Sequence, residues 1–290
     1  MALLKAVLLL AAALLFAAIL LQHWLRDSRL TGRLLGLLAV AVIIGGSLLD
    51  IRQILASLPV NLDVWSYLMN TRHGLAVRWR IAASLVLLVV MLLPVRRWQP
   101  WVLLPGWLGL LYTFSFTSHA AAMAGSAALL TDLVHFVAAG VWAGMLAAVS
   151  LAVPLWQDSA HGRLVAAMRT VSVTGLASVL VIATSGSISS LFHLAEPEKF
   201  FGSAYSWALL IKIVLVASTV AVAALNRFLF LPRLQHGNAT GLRRSLLLES
   251  LLLVAVFAAT GLLSTSSLPH GQDFPGVGEN LSRLIEYLRR

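Results

Sequence analysis

The chain reads as an all-α polytopic membrane bundle of about eight transmembrane helices. Three observations lead there. Of its 290 residues, 60% are hydrophobic and 11% charged, and the mean hydropathy is +0.91. Apolar runs near 20 residues recur along it, each long enough to cross about 30 Å of hydrocarbon. The runs are continuous rather than alternating, which excludes a transmembrane β-barrel.

Eight runs stand out: roughly 2–24, 34–56, 77–95, 101–118, 128–153, 165–191, 205–230 and 246–267. With loops this short, residues 1–268 form one integral membrane domain, and 269–290 a short tail. Lys5 gives the first run the charged start of a signal peptide. Its apolar stretch is long for that role, and it ends in His23-Trp24-Leu25-Arg26 with no small-residue cleavage pattern. We expect an uncleaved first span. Residues 281–290, LSRLIEYLRR, suit either a short interfacial amphipathic helix or a frayed end.

The sequence has no cysteine. Disulfides, thiolate metal sites and iron–sulfur clusters are therefore excluded, and any metal site must use His, Met, Asp, Glu or backbone. The formal net charge of +10 is a topology signal rather than a nucleic-acid footprint. Arg26, Arg29 and Arg33, then Arg96 and Arg97, then Arg163 and Arg169, then Arg227, Arg233, Arg243 and Arg244 fall in alternate loops. The positive-inside rule puts those loops in the cytoplasm and both termini outside, the periplasmic side of a cell inner membrane. Arg52, Arg72, Arg78, Arg80 and Lys199 on the other side weaken the contrast.

This topology sorts the histidines. His23, His161 and His236 fall in the basic loops. His73, His119, His193 and His270 fall at the outer ends of their spans, with His135 about two turns below. Asp132 and Asp50 sit at the same face. Carboxylates and imidazoles are expensive in a membrane segment, and they usually serve a bundle interior, an ion path or a cofactor.

In TDLVHFVAAGVWAGML, Asp132 and His135 are three residues apart and share a helix face. Imidazole ligates copper and zinc, and Asp132 can ligate beside it or orient its ring. A hairpin between the fourth and fifth spans brings His119 close, with Met123 four residues on as a soft donor. The candidate metal ligands are thus His119, His135 and Asp132, with His73, His193 and Met123 as secondary candidates. His193 precedes the acidic loop AEPEKF, a solvated setting, and His270 lies in a Pro/Gly tail. Asp50 and Lys212 are structural or path residues, Lys212 either snorkelling or serving as counter-charge to a carboxylate such as Asp132. Gly140 and Gly144 form a GxxxG pair that makes the fifth span central. Trp142, seven residues after His135, is placed to close the floor of a pocket. Asn226, Arg227 and Glu249 bracket a cytoplasmic loop, where Arg227 either pairs with Glu249 or snorkels to the interface. No catalytic, Walker or phosphorylated-Asp motif is present, so this is read as a non-enzyme without primary ATP-driven pumping.

Two segments carry a family resemblance. TDLVHFVAAGVWAGML resembles the Asp/Asn, His, small-residue, Trp and Gly segment of CopD/PcoD-type copper-resistance membrane proteins. LLIKIVLVASTVAVAALNRFLFLPRL is similar to their second signature, here Lys212, Asn226, Arg227 and Pro232, with Glu249 in the following span. SHAAAM, around His119, resembles the family's histidine at the end of the preceding helix. The resemblance is strongest over 100–268. It implies an inner-membrane protein that accepts copper, Cu(I) or Cu(II), from a separate periplasmic CopC-type copper-binding protein and moves it inward. Two other readings stay open. One is a b-type haem or quinone electron-transfer protein, which needs histidines on two spans at similar depth. The other is a docking subunit for a periplasmic copper chaperone.

Overall fold

We describe the chain from a computed structural model, which covers residues 1–24, 28–57, 63–153, 161–191, 203–236 and 241–265; the side chains of 119–124 and 161 are outside the described set. Every regular element among these residues is helical. The elements are α1 (Ala2–His23), α2 (Arg29–Ser57), α3 (Val64–Asn70), α4 (Arg72–Leu92), α5 (Pro100–Phe116), α6 (His119–Ala152), α7 (His161–Leu191), α8 (Ala204–Leu225), a π-helical turn (Asn226–Phe230), α9 (Leu231–Gln235) and α10 (Leu242–Leu263).

Among the described residues, seven helices are long and apolar enough to cross a membrane. The eighth expected span, 101–118, is α5, whose 17 residues reach about 25 Å at 1.5 Å per residue. That is about one turn short of the hydrocarbon thickness. Successive helices alternate in direction. Lys5 near the start of α1 donates to Ser264 O just past α10, at 3.2 Å. Arg72 at the start of α4 donates to Phe116 O at the end of α5, at 3.1 Å.

The first span is the core of the bundle. Ala12, Leu15, Ala17, Ala18, Ile19 and Leu21 are fully buried. Alanines on a central helix let neighbours approach closely, which is what drives helix association where lipid is as apolar as leucine. Gly144 of α6 shows the limit: a Cβ there would lie 2.7 Å from Ala13 O and 3.1 Å from Ala17 N. Gly140 faces Trp107 of α5, whose indole N–H donates to Ala12 O at 2.8 Å. The GxxxG pair therefore joins α6 to both α1 and α5, as its spacing predicts.

Two irregularities shape the site. Gly125, at φ 70 and ψ −145, bends the start of α6; that backbone region is open to glycine and strained for other residues. After α8 the hydrogen bonding widens, and Leu231 N–H reaches Asn226 O five residues back. Pro232 follows. Having no N–H, it leaves a carbonyl of the preceding turn without its helical donor, which favours such a local widening. The outer surface is apolar, with Val86, Val89, Leu180, Ile213, Leu247 and Leu251 exposed, as a lipid-facing surface requires.

Candidate cation-binding cavity

A cavity of about 560 Å³ opens where the ends of α1, α2, α4, α5, α6, α7, α8 and α10 converge. Its ionisable lining is Lys5, Asp50, His73, Arg80, Asp132, His135, Tyr205 and Lys212. The sequence placed the two aspartates, His73 and His135 at one face, and the helices bring all four to this one chamber.

His135 and Asp132 project from α6 toward α7, which answers with two serines one helical turn apart. His135 Nδ1 lies 3.0 Å from Ser185 Oγ, and Ser189 Oγ donates to Asp132 Oδ1 at 3.1 Å. Four residues separate the serines and three separate the α6 pair, so one helix face meets another in register. Gly186 lies under the ring, where a Cβ would sit 3.3 Å from His135 Cε1. With Nδ1 engaged, Nε2 is the nitrogen left for a ligand, the usual division when a second partner orients a ligating histidine.

His73 is held differently. Thr71 caps α4 by accepting from Gly74 N–H. Gly74 lets α3 fold back against α4, since a Cβ there would meet Tyr67 O and Leu68 Cα. This fold-back sets the Tyr67 hydroxyl on His73 Nδ1 and leaves His73 Nε2 3.2 Å from Asp50 Oδ2. Burial first, and the Asp50 carboxylate second, push the Tyr67 phenol up to about 12. Tyr67 is thus the donor, Nδ1 the acceptor, and Nε2–H points at Asp50. Both ring nitrogens are engaged.

Sequence reasoning missed most of the cavity's cations. Lys5 read as the charged start of a leader, and Arg80 as a loop charge. Arg80 is 2% exposed; its Nε donates to Thr113 Oγ1 at 3.0 Å, and the guanidinium lies 4.0 Å from the Phe114 ring centroid. Lys212 lines the same chamber as Asp132 and feels its charge, without a contact ion pair. Ser185 and Ser189 were also missed, since serines in an apolar run carry no signal until the partner helix is known.

The remaining predicted residues fall elsewhere. The side chains of His119 and Met123, and all of His193, lie outside the described residues. Trp142 does not floor the His135 cavity. It lines a second one, of about 160 Å³, with Asn226, Arg227 and Glu249. Seven residues keep it on nearly the same face as His135 but carry it about 10 Å along the axis. The Arg227–Glu249 pair is absent: Asn226 Nδ2 donates to Glu249 Oε2 at 2.6 Å, and Arg227 Nη1 donates to Ser172 Oγ at 2.8 Å. Asn226, at the start of the π-turn, faces inward to Glu249, and Arg227 reaches α7. Among the described residues, no three His, Asp or Glu side chains converge as a metal-ligand group.

Residues 165–263 match the family model described as copper resistance protein D. That match spans α7 to α10 and includes Lys212, Asn226, Arg227, Pro232 and Glu249, while Asp132 and His135 precede it. Copper transport protein CutJ of Bacillus subtilis (strain 168) is 28% identical over 201 residues, 66% of this chain and 36% of that protein. Inner membrane protein YebZ of Escherichia coli (strain K12) is 25% identical over 182 residues, 60% of each chain. The chain thus spans less than two thirds of either relative's length. No solved structure matches it. Over residues 165–263 the chain is thus similar to the copper resistance protein D family, and seven of its described helices are long and apolar enough to cross a membrane.

Proposed function

We propose that the protein takes copper at the large cavity from a periplasmic copper-binding carrier and passes it inward through the bundle. The observation that carries this reading is the pairing of His135 and Asp132 on the wall of one chamber, each oriented by a serine of the family-matched region. The name of the CutJ relative, a copper transport protein, supports copper as cargo. Both termini lie on the outer side in this reading, with the cavity facing the carrier, and α5 counts as an eighth, shorter span.

His135 Nε2 and an Asp132 oxygen supply two donors. A third comes from the carrier during exchange or from His119, at the start of the bent segment of α6. Imidazole accepts either copper oxidation state, and carboxylate favours Cu(II). His73 is a positioning group here, because both its nitrogens are engaged. Three cationic side chains against two carboxylates leave the chamber formally positive, so resting copper is held loosely. Weak holding suits a passage site, where binding must also allow departure.

Copper uptake into vesicles reconstituted with the purified protein tests the reading. Uptake by wild type and its loss in His135→Ala is the expected result. Copper that binds without entering would leave a docking role for the carrier.

A further inference from the structure

The smaller cavity has the makings of a second cation station. Glu249 is 3% and Asn226 5% exposed, and both line it. Glu249 has neutral hydrogen-bond partners, Asn226 Nδ2 at 2.6 Å and the Trp142 side chain. Its nearest candidate counter-ion, Arg227, is turned to Ser172. A buried carboxylate without a cationic partner carries a large desolvation cost unless a cation joins it. Asn226 Oδ1 adds an independent sign: it is buried and has no hydrogen-bond partner among the described residues. A lone acceptor and a carboxyl group without a cationic partner beside the same void leave two oxygen donors available to a cation.

The position matters as much as the chemistry. On α7, Ile182 lines the large cavity and Val179 the small one; on α8, Ala217 lines the large and Val220 the small. Each step is three residues, less than one helical turn. The two chambers are therefore stacked between the same helices, with only an apolar septum between them. The polar side of the lower chamber is the Asn226–Glu249 pair, at the start of the π-turn.

We infer that Glu249 and Asn226 Oδ1 form a second cation site with oxygen donors, the station that receives copper from the His135 chamber. This rests on the transport reading above. Oxygen donors hold copper less tightly than imidazole does, so copper would leave this station more readily than the first. It also supplies polar groups in the inner half of the bundle.

The test is equilibrium titration of the purified full chain with Cu(II), for wild type, His135→Ala, Glu249→Gln and Asn226→Asp. Glu249→Gln keeps an acceptor for Asn226 Nδ2 while removing the charge. Two equivalents in wild type, with one lost in Glu249→Gln and the other in His135→Ala, is the expected result. The equivalent retained in each variant reports an intact bundle. Asn226→Asp should tighten the Glu249-dependent equivalent tenfold or more. One equivalent that depends on His135 and ignores Glu249 would overturn this inference and leave the transport reading standing. One equivalent that depends on Glu249 and ignores His135 would overturn the placement at His135 instead. Should Glu249→Gln lose both through misfolding, an Asn226→Asp titration no tighter than wild type overturns the inference.

Discussion

His73 Nε2 stands 3.2 Å from Asp50 Oδ2, so the start of α4 is tied to the far end of α2 across the mouth of the cavity. The Tyr67 hydroxyl occupies the other ring nitrogen. An imidazole used twice in this way braces the entrance and is not free to ligate. His73→Ala should therefore lower stability by about 1–3 kcal/mol, the cost of leaving buried polar partners unmatched, and leave the copper stoichiometry unchanged. Thermal melting in detergent and metal analysis of the same sample check both halves.

The phenol of Tyr67 gives this brace a pH dependence. Its value rises from 10.0 to about 12, so the folded state holds the proton more tightly than the unfolded chain. The associated stability is intact below pH 10 and is lost as pH climbs through 12. Wild-type melting temperature should stay level to about pH 10 and then fall. Tyr67→Phe should melt lower at neutral pH and show a flatter alkaline limb, which a pH series of melting curves reads directly.

Ser185 holds the His135 ring through Nδ1. Removing such an orienting partner typically costs about 10–100-fold in metal affinity. Ser185→Ala should weaken copper binding by that factor, and Ser185→Thr, which keeps the hydroxyl, should restore it. Competition titration against a chelator of known affinity measures it.

Gly144 reports on the contact between α6 and the central α1. A methyl group there would stand 2.7 Å from the Ala13 carbonyl oxygen, which belongs to backbone and cannot swing aside. Gly144→Ala should cost about 1–3 kcal/mol as an overpacked interface. Gly109 has nothing within 4 Å of the same position, so Gly109→Ala should be neutral or slightly stabilising through helix propensity. Melting curves of the two variants side by side test the packing.

Much of this was legible in the chain. Continuous apolar runs give the spans because a membrane demands a minimum length. Asp132 and His135 read as a pair because one helical turn puts them on one face. Asp50 and Lys212 read as structural or path residues because charge near a span needs a purpose, with snorkelling left open for Lys212. What was not legible depends on neighbours distant in sequence. Arg80 looks like any basic residue near a loop until Thr113 and Phe114 of α5 receive it. Tyr67 belongs to a short helix that only the Gly74 contact folds back onto His73. An Arg227–Glu249 pair was one reading of the sequence, but Asn226 takes that place, and hydrophobic periodicity does not say which of two adjacent polar residues meets a carboxyl on another helix.

The account stands most directly on copper at His135. The decisive measurement is metal content and visible spectrum of the purified, detergent-solubilised protein after copper loading, wild type beside His135→Ala. The account predicts bound copper in wild type, at least one equivalent less in the variant, and no Soret band in either. A Soret band would point to haem, and equal copper in the two proteins would contradict the placement of the site.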